Sequence, residues 1–268
     1  MSVEILAPAE AAVDASGLPQ RYGTIVVVGG GCYGSYYVRQ LARALAAGRL
    51  TFDRVLVVDR DAGCEVARTL SSGSAASRVE LQVADWTPFF DEYLGSAASG
   101  AATQDAIVPS PLMPHLMFEW LVRRARERWP QRTVRTTPIG REPATPWQRA
   151  GADATHYVSF AEWMCPVNCV EPPLCPEIRG PRTWSMPQAV RAYAQAERGH
   201  GRALAGPVIF HCTHRAFGVG MFDTQSVLEA DRAVVRAAAL EAADILIATV
   251  SHCHGAMSVL GVGAPTLD

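Results

Sequence analysis

The sequence predicts an α/β fold with a mostly parallel sheet, helices on both faces of that sheet and a Cys/Pro-rich elaboration. Two continuous apolar, β-branched runs, Thr24–Val28 and Arg54–Val58, are typical of strands buried on both faces of a parallel sheet. A helical pattern from Tyr37 to near Gly48 separates them, and strand and helix patterns continue to alternate afterwards. Such alternation predicts βαβ units, whose right-handed crossovers place helices on both faces.

Later elements follow from the same periodicities. Short apolar runs predict strands over 79–84, 106–109, 133–138, 156–160, 207–210 and 244–250. Apolar residues at helical spacing predict helices over 62–70, 115–128, 186–197 and 226–243. We therefore expect a flexible N-terminal leader over 1–22, a nucleotide-binding region over 23–160, and a Cys/His-rich C-terminal region over 161–268 that continues the same sheet.

Composition excludes several classes of protein. The chain has 268 residues, 49% of them hydrophobic, and a net charge of −2, so bulk electrostatics do not favour nucleic-acid binding. No apolar stretch reaches the roughly 18 residues that a membrane span needs. The first twenty residues lack the basic start and apolar core of a signal peptide. We expect a cytoplasmic protein, in which clustered cysteines bind metal or react rather than form disulfides.

A glycine-rich loop joins the first predicted strand to the first predicted helix. Gly29, Gly31 and Gly34 fit the pattern G-x-G-x-x-G, in which the glycines permit a tight turn, backbone approach to a pyrophosphate, and close helix packing. The N-terminus of the helix offers free N–H groups to phosphate. Asp59 follows the second strand, where a carboxylate can accept hydrogen bonds from ribose hydroxyls. These residues, with Cys32 inside the loop, predict a Rossmann-like dinucleotide or adenosyl site.

The segment from Thr24 to Pro109 resembles the NAD(P)-binding Rossmann domain of the TrkA-N (RCK) type. Four stretches carry the resemblance: Val27-Val28-Gly29-Gly30-Gly31-Cys32-Tyr33-Gly34, Val57-Val58-Asp59-Arg60-Asp61, Val83-Ala84-Asp85 and Asp105-Ala106-Ile107-Val108. The resemblance implies NAD(P) as cofactor and places Asp85 beside the adenine. Methyltransferases share much of this pattern, so S-adenosylmethionine stays an alternative. Asp59 favours NAD over NADP, whereas the adjacent Arg60 could meet a 2′-phosphate.

Three islands of metal-ligating residues lie in the second half of the chain. Cys165, Cys169 and Cys175 share a proline-rich loop, and two Cys/His islands follow at His211–His214 and Ser251–His254. Thiolates and imidazoles are ligands for zinc and iron–sulfur clusters. We expect a metal centre held by Cys165, Cys169, Cys175 and Cys212, with an iron–sulfur cluster favoured over zinc. Cys253 or a nearby histidine is an alternative fourth ligand, and thiols without metal are the third reading.

Most of these groups follow predicted strands, and the carboxyl ends of parallel strands meet at one edge of a sheet. The sequence therefore predicts one composite site, with a dinucleotide beside a metal centre, in an intracellular protein of redox function. An NAD(P)-dependent oxidoreductase is the leading hypothesis; its catalytic residues are not evident. The expected partners are the nucleotide and a redox protein, and an oligomer is compatible with the sequence. Two alternatives are an NAD-sensing regulatory module with a thiol or metal switch, and a methyltransferase with a structural metal.

Overall fold

The structure, a computed structural model, describes residues 20–71, 78–98, 104–161 and 165–265. The helices are α1 (Cys32–Ala46), α2 (Glu65–Ser71), α3 (Trp86–Ser96), α4 (Leu116–Arg128), α5 (Met186–Gly199) and α6 (Thr224–Ala238). The strands are β1 (Gln20–Val28), β2 (Leu50–Asp59), β3 (Val79–Val83), β4 (Ala106–Val108), β5 (Val134–Thr137), β6 (Trp147–Ala150), β7 (His156–Ser159), β8 (Leu174–Cys175), β9 (Gly180–Pro181), β10 (Leu204–His211), β11 (Thr213–Ala216), β12 (Val219–Asp223), β13 (Ala243–Val250) and β14 (His254–Val262). In this part of the chain, no helix combines the length and apolar character that crossing a membrane requires.

The chain forms two compact units, each assembled from separate segments. The first contains the described residues up to Met113 together with Pro166–Thr183 and Cys212–Gln225. The second contains Pro114–Cys165, Trp184–His211 and the described residues from Ser226 onward. The predicted boundary at residue 161 is therefore wrong, because two later segments return to the first unit. Of the predicted leader, residues 1–19 lie outside the described residues, and 20–22 already belong to β1.

The sheet of the first unit has the order β11-β12-β4-β1-β2-β3. Its four strands β4, β1, β2 and β3 are parallel, and the β11–β12 hairpin adds to β4 in the antiparallel sense. In β1, Ile25 and Val27 are buried in a core cluster that includes Leu41 and Ala44 of α1. The intervening Val26 is equally buried. Because residues on both faces of the sheet are buried, these strands appear in the sequence as continuous apolar runs.

The sheet of the second unit has the order β10-β13-β14-β7-β6, and β5 also pairs with β14. Only β10 and β13 are parallel; the other pairs are antiparallel. The prediction that the C-terminal region continues the first sheet holds for β11 and β12 and is wrong for β10, β13 and β14. The reason is β14, a strand that the sequence pattern did not reveal, which pairs with β13, β7 and β5. The α/β class is thus confirmed, whereas a mostly parallel arrangement describes only the first sheet.

One directional feature of the second sheet matters for the site. Strand β14 is antiparallel to both β7 and β13, and β13 is parallel to β10. Strands β7, β10 and β13 therefore all run in the same direction, and their carboxyl ends lie at one edge of this sheet. His254 begins β14 at that edge, opposite Ser159 of β7. The sequence predicted that these three strand ends lie at one sheet edge together with the ends of β1, β2 and β3. The three do share an edge, but in a separate sheet.

The side chain of His115 is buried where α4 begins, and we expect it to make the protein's stability sensitive to acid. Its Nδ1 lies 3.1 Å from Thr249 Oγ1, and its ring stacks on Phe118 with 4.6 Å between centroids. Burial lowers the pKa of His115 from 6.5 to about 3. Because the folded pKa lies below the unfolded value, this residue's full contribution to stability is present above pH 6.5 and is lost as the pH falls towards 3.

We expect the free energy of unfolding to fall by about 2 kcal/mol between pH 6.5 and pH 5 through His115 alone, since one pH unit corresponds to about 1.4 kcal/mol. The measurement is urea unfolding at both pH values for the wild type and for His115→Gln, which has no titrating ring. Other groups titrate in both proteins, so the difference between their pH dependences isolates His115. Identical pH dependences would contradict a neutral buried imidazole.

Candidate functional site

The glycine loop follows β1 with a geometry that only glycine allows at two positions. Gly29 has a φ of 87°, in the left-handed region, and its N–H donates to Val58 O at 2.8 Å. A Cβ atom at Gly34 would lie only 1.8 Å from Gly29 O, so the first turn of α1 packs directly on the loop backbone. These are two of the roles that the sequence pattern assigns to its first and third glycines.

The second glycine of the pattern faces open space. Gly31 precedes α1 with a φ of −77°, and a Cβ atom there would meet no described atom within 4 Å. No side chain caps the helix at this position. The first N–H groups of α1 are therefore presented at an uncovered helix N-terminus, which carries the positive end of the helix dipole. This arrangement suits a phosphate group.

Asp59 holds the loop from the end of β2. Its Oδ2 accepts a hydrogen bond from Gly30 N–H at 2.6 Å, and its Oδ1 accepts one from Asp61 N–H at 2.8 Å. Each carboxylate oxygen can accept more than one hydrogen bond, so both keep capacity for a ligand hydroxyl. Asp59 thus has a structural role in the loop that sequence reasoning did not anticipate, beside the ribose contact predicted for it.

The other predicted nucleotide-site residues lie at the same edge of the first sheet. Cys32 is the first residue of α1 and is exposed. Asp85 is also exposed and directly precedes α3, two residues after the end of β3. The indole of Trp86 donates to Val58 O at 3.2 Å, which fixes the start of α3 against β2. The structure therefore brings Gly29, Gly31, Gly34, Asp59 and Asp85 to the carboxyl ends of parallel strands.

The thiol of Cys212 and the imidazole of His214 both lie close to Gly220 in the first unit. A Cβ atom at Gly220 would lie 2.8 Å from Cys212 Sγ and 3.3 Å from His214 Nε2. His214 Nδ1 lies 3.9 Å from the carboxylate of Glu171. Burial raises the pKa of the Cys212 thiol to about 12, and Glu171 adds to the rise. Without a bound cation, Cys212 is therefore a protonated thiol at neutral pH.

The four cysteines predicted as metal ligands belong to different units. Cys169, Cys175 and Cys212 lie in the first unit and Cys165 in the second. Cys175 is buried in β8, and Cys169 Sγ accepts a hydrogen bond from Glu171 N–H at 3.4 Å. Within the described ranges, no group of three or more His, Cys, Asp or Glu is arranged to hold a metal ion, and no disulfide joins the cysteines. The iron–sulfur and zinc readings stay predictions, which iron, sulfide and zinc analysis of the purified protein would test.

A thiol–imidazole contact lies at the edge of the second sheet where β7 ends. Cys165 Sγ is 3.0 Å from His254 Nε2, and His254 Nδ1 is 2.7 Å from Ser159 Oγ. Ser159 Oγ also accepts a hydrogen bond from Ala161 N–H at 2.9 Å. The sequence had singled out Cys165 and His254 but had not paired them, and it missed Ser159. A prediction of β14 would have placed His254 opposite Ser159.

The loop before His254 is fixed by hydrogen bonds. Ser251 Oγ accepts from the N–H groups of Cys253 and His254, both at 3.2 Å. Trp184 Nε1 donates to Cys253 Sγ at 3.3 Å, and Phe160 N–H donates to Cys253 O at 2.9 Å. These contacts fix the backbone that leads into His254. The ring position is therefore set by the fold rather than by the thiol alone.

Comparisons with known proteins match only the later part of the chain. Neither the curated proteins nor the solved structures gave a match. A family model described as "Uncharacterized protein, C-terminal domain" matches residues 117–263, which is more than half of the 268 residues. The match includes Cys165, Ser159 and His254 and leaves the glycine loop outside. The chain belongs to the family described as "Uncharacterized protein, C-terminal domain".

Proposed function

We propose that the first unit binds a dinucleotide, NAD(H), at the loop between β1 and α1. The observation that carries this proposal is the uncovered N-terminus of α1 behind Gly31, where a Cβ would meet no described atom within 4 Å. A phosphate bound at the N-terminus of α1 needs this space. The left-handed Gly29 and the close packing at Gly34 support the same reading.

The strand order of the first sheet adds support. Neighbouring strands β3, β2, β1 and β4 are parallel and stand in this order, which matches the first four strands of the doubly wound order 3-2-1-4-5-6. Ligands of such sheets bind outside the carboxyl ends of the strands, where Gly29, Asp59 and Asp85 lie. A Rossmann-like domain of the TrkA-N type is therefore our proposal for this unit. The antiparallel β11–β12 hairpin beside β4 is a departure from a purely parallel sheet.

Each residue of the loop has a distinct part in binding. The first N–H groups of α1 would contact the pyrophosphate, whose charge the helix dipole stabilises. Asp59 would accept from a ribose hydroxyl while keeping its hydrogen bond from Gly30 N–H, and that bond holds the loop open before the ligand arrives. A bound nicotinamide would supply hydride transfer, which gives the protein a redox function.

Calorimetric titration of the full chain with NADH tests the proposal. We expect one site per chain, with a dissociation constant of roughly micromolar order, equivalent to about 8 kcal/mol. NADPH in a parallel titration reports whether Arg60 admits a 2′-phosphate. Heat on addition of S-adenosylmethionine with none from NADH would replace the proposal by the methyltransferase reading. NADH binding that changes assembly without any turnover would favour the regulatory module.

A further inference from the structure

The three-residue chain Cys165–His254–Ser159 in the second unit has the arrangement of an activated nucleophile. A nucleophile, a base and an orienting group in series are the geometric signature of covalent catalysis. Here the thiol lies 3.0 Å from one imidazole nitrogen and the other nitrogen lies 2.7 Å from a hydroxyl. Cys165 is partly exposed, whereas Ser159 is buried, with only 2% of its surface exposed. The three side chains therefore connect an accessible thiol to the interior of the second unit.

The hydroxyl orients the ring. Ser159 Oγ accepts from Ala161 N–H at 2.9 Å, which fixes the oxygen that faces His254 Nδ1. With the ring proton on Nδ1, Nε2 is left to accept the proton of the thiol. The rigid hydrogen bonds of the 251–254 loop keep His254 in this position. Ser159 is therefore a positioning residue, and Cys165 Sγ is the atom that would react.

We propose that Cys165 is a reactive thiol that undergoes exchange with small disulfides, with His254 as its base. His254 Nε2 takes the proton from Cys165 Sγ, and the thiolate attacks one sulfur of the disulfide. The disulfide S–S bond breaks, a new S–S bond joins Cys165 to one half, and the other half leaves as a thiolate that recovers the proton from His254. Cys165 is oxidised and the released half is reduced, so electrons balance. This proposal is independent of nucleotide binding.

The test uses the reduced full chain with the aromatic disulfide 5,5′-dithiobis(2-nitrobenzoate) at neutral pH. Peptide mass spectrometry measures the modification rate at Cys165 and, as a reference within the same chain, at Cys32, which is more exposed and lies at the glycine loop. Exposure alone predicts that Cys32 reacts faster. We expect Cys165 to react at least about tenfold faster than Cys32, because a positioned base contributes a factor of about 100 or more.

Substitutions at His254 and Ser159 distinguish the effect of the base on the Cys165 rate from the effect of the surrounding structure. His254→Gln should slow Cys165 by at least about tenfold and leave the Cys32 rate unchanged. Ser159→Ala should slow Cys165 as well, and Ser159→Thr, which keeps the hydroxyl, should restore the rate. Protection of the buried Cys253, which lies in the same unit as both substitutions, reports a native fold in each variant. If His254→Gln does not fold, the Ser159 pair decides alone.

Two results would overturn the proposal. One is a Cys165 rate that is equal to or below the Cys32 rate, or that is unchanged in the variants. The other is a Cys165 that becomes reactive only after treatment with a chelator, which would make it a metal ligand as the sequence suggested. A fast Cys165 that needs both His254 and the Ser159 hydroxyl supports the proposal.

Discussion

Replacement of Gly34 by alanine is expected to destabilise the first unit by about 3 kcal/mol or more, because the new Cβ has no space. It would lie 1.8 Å from Gly29 O and 2.9 Å from Gly29 C, both backbone atoms that cannot rotate away. Alanine favours a helix by up to about 1 kcal/mol over glycine, which is too little to offset this clash. Either the loop or the start of α1 must move.

Gly31→Ala is the matched control for this change. It introduces the same methyl group three residues earlier, at an ordinary φ of −77° and with no described atom within 4 Å. We expect it to cost no more than about 1 kcal/mol, because alanine restricts the unfolded chain but is a poorer N-cap residue than glycine. The measurement is urea unfolding followed by far-ultraviolet circular dichroism. Equal stability of the two variants would show that the first turn of α1 does not pack on Gly29.

Replacement of Arg132 by alanine is expected to destabilise the second unit by about 2–4 kcal/mol, because three backbone carbonyls lose a charged donor. Arg132 Nε donates to Gly263 O at 2.7 Å, Nη1 to Ala238 O at 2.6 Å and Nη2 to Glu241 O at 2.8 Å. The carbonyl of Ala238 belongs to the last residue of α6, where the helix dipole favours a cation. One side chain thus ties the end of α6 to the chain after β14.

The guanidinium of Arg132 also lies over the ring of Trp129, 4.9 Å from its centroid. Arg132→Lys should recover only part of the lost stability, because an ammonium cannot reproduce three divergent N–H donors. The control is Arg124→Ala, which removes a half-exposed ion pair with Glu127 and should change stability by less than about 0.5 kcal/mol. Thermal and urea unfolding of the three variants decide the matter. If Arg132→Ala lowers the free energy of unfolding as little as Arg124→Ala does, Arg132 does not stabilise the end of α6 through these hydrogen bonds.

The local sequence pattern predicted secondary structure most accurately for the strands that are buried on both faces. Val26, Val27 and Val57 are all fully buried, so the apolar run and the strand coincide. The helix α3 was missed although its apolar residues stand at helical spacing: Trp86, Phe89, Phe90, Tyr93 and Leu94. The hairpin β11–β12 was missed because its glycines were interpreted as a loop. The hairpin depends on its pairing with β4, a distant segment that local periodicity does not reveal.

Strand partners were the main limit of the sequence. A run such as Ile245–Val250 predicts a strand but not its neighbours, and β14 with its interspersed Gly255 and Gly261 gave no strand pattern at all. Without β14, the C-terminal strands could be assigned to the first sheet. For the same reason, the sequence prediction grouped Cys165 with Cys212 as metal ligands. In the structure, Cys165 Sγ contacts the imidazole of His254, 89 residues away. Residue types identified the candidates, and only the register of β14 against β7 paired them.

The central claim is that the first unit binds a dinucleotide over Gly31, and a calorimetric titration of Gly31→Val with NADH tests it most directly. A Cβ atom at Gly31 would meet no described atom within 4 Å, but valine is a poorer N-cap residue than glycine, so the variant should fold and lose no more than about 1 kcal/mol of stability. Its side chain would fill the space proposed for the pyrophosphate. The account predicts NADH binding by the wild type and a loss of at least about 100-fold in the variant, equivalent to about 2.8 kcal/mol. Equal NADH affinities for the two proteins, or no NADH binding by the wild type, would contradict it.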